Sequence, residues 1–180
     1  MMAMPRVPPL SIARPEEILL PARPWFIVLT LALALLANLF PLAGLPLLLR
    51  PDCLALVLLY WGIQEPRYVS VGVAWMMGLA MDVGDATLFG QHALAYAVLA
   101  YAAGYFRRRV LRFPLSQQAI QVAGLLVFCA ALVLLVRVVG GAPAPAWTYL
   151  LSPLSGALLW PVVSVVLQLP QRPAHSPSDL

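Results

Sequence analysis

From Trp25 to Leu49 the chain runs 25 residues without a single charged side chain. A signal-peptide core is about 7–15 residues long, whereas a helix crossing hydrocarbon needs about 20. The run is therefore read as a membrane anchor that stays in the protein. Five more apolar segments follow it, so the six are Trp25–Gly44, Cys53–Ile63, Tyr68–Met81, Leu88–Phe106, Ala119–Val139 and Trp147–Leu169. Water cannot be the main solvent of such a chain. It is 62% hydrophobic and 10% charged, against about 45–50% and about 25% for a soluble domain, and a fold of this size leaves much of its surface exposed. In lipid each segment must satisfy its own backbone hydrogen bonds, as helices do. The expected fold is all-α: a polytopic membrane protein of six transmembrane helices.

The expected organisation is a flexible cytoplasmic tail over 1–23, rich in proline, a six-helix transmembrane domain over 24–170, and a cytoplasmic tail over 171–180. The second and third segments are short, and 53–63 in particular could enter and leave on one side. Arginine placement argues for full crossing, because basic residues favour cytoplasmic loops. With six crossings and both termini cytoplasmic, nine arginines lie inside and only Arg50 and Arg137 outside; the best five-crossing arrangement gives seven against four. All eleven basic residues are arginines. They lie between apolar runs and on the tails rather than interleaved with aromatics on one polar face, so nucleic acid is not an expected partner. Cys53 and Cys129 lie inside apolar runs without paired spacing and are read as small packing residues.

Several polar and small residues stand out against this background. Ala93 and Ala97 are four apart, as are Ala100 and Gly104, a spacing that lets helix backbones approach closely; the alternative is an ordinary alanine-rich helix. Tyr101 and Tyr105 precede Arg107, Arg108, Arg109 and Arg112, which together read as an aromatic belt and a membrane-interface anchor near anionic headgroups. A docking site for a cytoplasmic protein is the competing reading of that cluster. Asp82, Asp85 and His92 flank a turn and are read as a polar clasp, since a metal needs three or four ligands with supporting partners. Asp52 suits the start of the second helix, and Arg50 is expected to pair with Asp52, Asp82 or Asp85. Gln117 and Gln118 are expected to satisfy helix-end groups or to bind a neighbour. No catalytic triad, phosphate loop or zinc motif is present, so a non-catalytic protein without cofactor or metal is expected.

Three stretches resemble the proteobacterial MreD family of rod shape-determining proteins. They are Arg50-Pro51-Asp52 running into Leu56-Val57-Leu58-Leu59-Tyr60-Trp61, Gly78–Val83 with Leu88–Tyr96 (Gly90-Gln91-His92-Ala93-Leu94-Ala95-Tyr96 within it), and Phe113-Pro114-Leu115-Ser116-Gln117-Gln118-Ala119. Ala157-Leu158-Leu159-Trp160-Pro161 fits the last segment. Cys53 and Ser116 depart from the bulkier apolar residues usual in the family, and the proline-rich N-tail exceeds its short N-terminus. The resemblance implies a bacterial inner-membrane member of the Rod complex, or elongasome. Such a protein associates with MreC directly and with MreB, RodA, a class B penicillin-binding protein and RodZ in the wider machine that directs lateral peptidoglycan synthesis. It also implies a fold similar to the S component of energy-coupling-factor transporters. The expected function is a scaffold that binds MreC, with the Ala93–Gly104 face as its docking surface and Arg50, Asp52 and Asp82 on the outer rim. The alternative is an S-component-like protein that binds a small molecule or lipid in an outward cavity lined by Asn38, Gln91 and His92.

Overall fold

The computed structural model describes residues 22–40, 50–143, 149 and 151–171. The described residues form six α-helices and no strand: α1 (Pro24–Leu39), α2 (Cys53–Gln64), α3 (Val71–Gly84), α4 (Gln91–Val110), α5 (Leu115–Val139) and α6 (Leu151–Gln168), with a closing 3₁₀ turn at Leu169–Gln171. Nearly all of both expected tails lies outside the described residues, as do residues 41–49.

The helices alternate in direction. The indole of Trp61 donates to Thr30 and the Cys53 amide to Asn38, so α1 and α2 are antiparallel. Asp52 meets Tyr96 while the Gln64 carbonyl meets Arg107, so α2 and α4 run parallel. α3 and α4 form a tight antiparallel hairpin, and Trp160 donating to Gln118 sets α6 against α5. Two poles result. One gathers Asn38, Arg50, Asp52, Asp82 and His92, and the other gathers Arg23, Gln64, Arg67 and Arg107 through Arg112. The eight described arginines divide six to two between the poles.

α2 is the axis of the bundle. Every residue from Leu54 to Ile63 is buried, and the helix is apolar all round because protein surrounds it on every side. Its shortness follows. Twelve residues rise only about 18 Å, well under the roughly 30 Å hydrocarbon thickness. A helix sheathed by neighbours does not have to match a bilayer, and the outer helices vary in length, from 14 residues in α3 to 25 in α5. Two of those, Leu115–Val139 and Leu151–Gln171, are long and apolar enough to cross a membrane. Their large apolar side chains point outward: Ile120 is 74% exposed, Val139 79% and Leu158 81%. In water each would forfeit about 1.5–3 kcal/mol of burial; in lipid it costs nothing comparable.

Candidate functional site

The polar residues singled out in the sequence converge on the first pole, around two carboxylates. Asp82 sits in the last turn of α3 with its side chain fully buried. The chain then wraps around it. The amides of Gly90 and His92 donate to its two oxygens at 2.9 and 2.8 Å, and the Ala93 amide follows at 3.4 Å. The Thr87 hydroxyl donates at 3.3 Å and the His92 ring contributes Nδ1 at 2.8 Å. The first amides of a helix have no partner within it and carry positive partial charge. Gly90, at the N-cap of α4, has no side chain to offer them and adopts φ 96°, a left-handed conformation that glycine takes without strain. A carboxylate from the preceding helix does the capping instead. The His92 ring meets the carboxylate through Nδ1, which donates to it.

The close approach of α3 to α4 has a second cause. A Cβ on Gly78 would lie 2.5 Å from the Ala93 nitrogen and 2.7 Å from the His92 carbonyl carbon. Only glycine lets the two backbones meet, and that contact carries Asp82, one turn further along α3, into the start of α4.

Asp52 forms the neighbouring clasp. It caps α2 by accepting the Ala55 amide at 2.9 Å, and it also accepts Asn38 Nδ2 at 2.8 Å and the Tyr96 hydroxyl at 2.7 Å. Asn38 returns a bond by accepting the Cys53 amide at 2.9 Å. Tyr96 stands one turn after His92 with ring centroids 5.7 Å apart, so the clasps adjoin along α4. Together they tie α1, α2, α3 and α4.

The remaining expected residues are placed as follows. Gln91 and His92, with Asp85, Thr87, Arg137 and Tyr149, border a cavity of about 120 Å³ that opens at this pole. Although Asp85 lies at the surface, desolvation by the surrounding protein raises its carboxyl above its ordinary range, with His92 and Arg50 opposing that shift. The expectation that Arg50 pairs with an aspartate fails: its guanidinium donates to the Ala37 carbonyl at 3.4 Å, and no arginine among the described residues forms an ion pair with a carboxylate. The small-residue face divides. Ala93 and Ala100 are covered by the chain itself, Ala97 is half-buried, and Gly104 faces outward with open space around it. Gln118 closes its own turn on the Phe113 carbonyl and accepts from Trp160, while Gln117 is exposed. Arg108, Arg109 and Arg112 are exposed, whereas Arg107 turns inward to the Gln64 carbonyl. Tyr96, Gly78 and Thr87 were not expected to act here. Tyr96 had a sequence signal, falling one turn after His92 on the same helix face.

An all-α body with membrane-length apolar helices, an apolar outer surface and a polar core consumed by helix capping defines a helical membrane protein. The family model for the rod shape-determining protein MreD matches residues 22–169, and the chain belongs to that family. It is similar to the Rod shape-determining protein MreD of Haemophilus influenzae (strain ATCC 51907 / DSM 11121 / KW20 / Rd), 30% identical over 153 residues that cover 82% of this chain and 92% of the relative. No solved structure matches the chain. Membership gives the protein a role in rod shape determination.

Proposed function

We propose that this protein is a non-catalytic scaffold of the bacterial inner membrane. It crosses six times with both termini cytoplasmic, in an arrangement like the S component of energy-coupling-factor transporters, and docks the membrane-spanning helix of MreC within the Rod complex. Through MreC it supports MreB-directed peptidoglycan synthesis alongside RodA, a class B penicillin-binding protein and RodZ. The observation that carries this reading is where the polar groups at the first pole spend their hydrogen bonds: half-buried Asp52 and buried Asp82 are engaged with helix ends and neighbouring side chains of the same chain. The alternation of helix direction and the six-to-two division of described arginines support the threading. Against a small-molecule role stands the volume of the cavity beside Gln91 and His92, about 120 Å³, where ligand pockets start near 300 Å³. Asn38, the third residue expected to line that cavity, is taken up by Asp52 and Cys53.

Burial supports a docking face on the uncovered side of α4. Ala93 and Ala100 are already covered, so the face turns around α4 to Leu94, Ala97, Tyr101 and Gly104, of which Leu94 is 49% and Tyr101 67% exposed. In lipid, helices associate through close packing and interhelical hydrogen bonds; Ala97 and Gly104 permit the first and the Tyr101 hydroxyl supplies the second. Gly104→Leu should reduce co-purification of MreC with the protein extracted in mild detergent while leaving its thermal midpoint unchanged, because a side chain there meets nothing within 4 Å. Undiminished recovery of MreC with both Gly104→Leu and Ala97→Leu would count against this surface.

A further inference from the structure

At the arginine pole two depressions join. A basin of about 550 Å³ is bordered by Tyr105, Phe106, Arg108, Arg109, Arg112 and Phe113. A groove of about 210 Å³ leaves it between α4 and α5, floored by Val110, Gly124 and Leu125, and shares Phe106 and Arg109 with it. The basin is cationic and ringed by aromatics. The groove is almost wholly apolar, with Gln121 as its one further polar residue, and Gly124 leaves it open because no side chain stands there. Among the described residues, Arg108, Arg109 and Arg112 make no ion pair.

We infer that this is a binding site for one anionic phospholipid, its phosphate held by Arg109 and Arg112 and an acyl chain lying in the α4–α5 groove past Gly124. Three observations select that occupant. Three guanidiniums that make no ion pair among the described residues, gathered between Arg108 and Arg112 at the end of α4, call for an anion, and arginine matches phosphate oxygens in a bidentate fork. The adjoining groove has no use for a soluble phosphate but fits a hydrocarbon chain attached to one. The aromatic rim of Tyr105, Phe106 and Phe113 has the amphipathic character favoured at headgroup depth. Basic pockets between helices at a membrane face hold anionic headgroups on these principles. The assignment does not depend on MreC docking: Tyr105 and Arg108 continue the stripe of Tyr101 and Gly104, but Phe106, Arg109 and Val110, which border the groove, lie on another face of α4.

The test uses the full chain in neutral detergent, titrated with phosphatidylglycerol and with phosphatidylcholine of identical chains and followed by native mass spectrometry. One phosphatidylglycerol should bind at least about tenfold more tightly than phosphatidylcholine. The double variant Arg109→Gln/Arg112→Gln should lose about thirtyfold in affinity, from roughly tenfold or less per arginine. Gly124→Leu, which blocks the groove without touching a charge, should also weaken binding, whereas Arg50→Gln at the opposite pole should leave it intact. Equal binding of the two lipids, an unaffected Gly124→Leu variant, loss of binding in Arg50→Gln, or displacement of the lipid by excess glycerol 3-phosphate would each overturn the assignment.

Discussion

Replacing Asp82 by asparagine keeps the shape of the side chain and removes one acceptor, which makes it a sharp probe of the first clasp. Oδ1 takes the His92 amide and ring at 2.8 Å each, and Oδ2 takes the Gly90 amide at 2.9 Å. Whichever oxygen becomes an amide nitrogen sets a donor against at least one strong backbone donor. A hydrogen bond to a charged group is worth about 1.5–3 kcal/mol, and a buried donor left unsatisfied costs about 1–3 kcal/mol more. The loss of negative charge at the α4 N-terminus adds about 0.3–2 kcal/mol. Some of this is recovered by the oxygen that remains, so a net loss of about 3–5 kcal/mol is expected. For a chain of this size that lowers the thermal midpoint by roughly 6–20 °C, measurable by tryptophan fluorescence in detergent. His92→Ala should cost less, since the amides of Gly90, His92 and Ala93 keep their acceptor. In combination with Asp82→Asn it should add less than the sum of the two, because the residues share a hydrogen bond. An Asp82→Asn midpoint within about 2 °C of the parent would refute the claim that this carboxylate holds α3 to α4, given the size of the terms above.

Three further outcomes follow from the same geometry. Gly78→Val should lose at least about 3 kcal/mol, the upper end of overpacking costs, because the obstruction is the backbone of His92 and Ala93; Gly124→Val, in open space, should unfold at the parental temperature in the same melts. Tyr96→Phe removes only the hydroxyl that donates to Asp52 and should lower stability by about 1.5–3 kcal/mol, with Asn38→Ala showing a coupled loss in a double-mutant cycle. Asp85 behaves oppositely to an ion-paired carboxylate: its folded pKa is raised, chiefly by desolvation, so its contribution to stability is present in acid and is lost as pH rises through that folded value. Asp85→Asn should therefore raise the thermal midpoint at pH 7 relative to the parent and lose that advantage in acid; an unchanged difference between pH 4 and pH 7 would contradict this.

Much of this architecture can be read from the chain, and the part that cannot has a physical reason. The apolar segment Cys53–Ile63 becomes α2 almost residue for residue, because Asp52 caps one end and Glu65-Pro66 stops the other. The segment Tyr68–Met81 becomes Val71–Gly84 instead. Apolarity ends it at Asp82, yet that aspartate is helical and buried, its charge met by amides ten residues ahead that no local pattern reveals. Which side of a helix faces inward is harder still. In water the apolar stripe marks the core face; here the inward Leu99 and the outward Leu94 are chemically alike. The small-residue spacing of Ala93, Ala97, Ala100 and Gly104 therefore reads as one face, while the fold covers two of the four and leaves Gly104 open. The true point of backbone contact, Gly78, lies on the partner helix, where buried Ala74 four residues before it gives the same small-residue spacing.

The same indifference of hydrocarbon to apolar side chains explains why the fold enlists two carboxylates, Asp82 buried and Asp52 half-buried. Lipid tails are as apolar as leucine, so burial alone does not favour one helix neighbour over another. Each carboxylate does. Asp82 is satisfied only if the first turn of α4 arrives at the end of α3, and Asp52 only if Asn38 and Tyr96 arrive at the start of α2. A wrong pairing leaves the carboxylate and the amides it would have met without partners, at about 1–3 kcal/mol for each buried group and more for a charged one. Both clasps lie at one pole and involve the first four helices, whereas α5 and α6 join the body through side-chain packing, with the bond from Trp160 to Gln118 tying them to each other. The first four helices thus form the specified unit. It follows that Asp52→Ala should disturb α1 and α4 together while sparing the α5–α6 pair, and cysteine cross-links placed across each pair would separate the two effects. Equal loss of cross-linking at both pairs would mean that the bundle is held as one cooperative body rather than organised from its carboxylates.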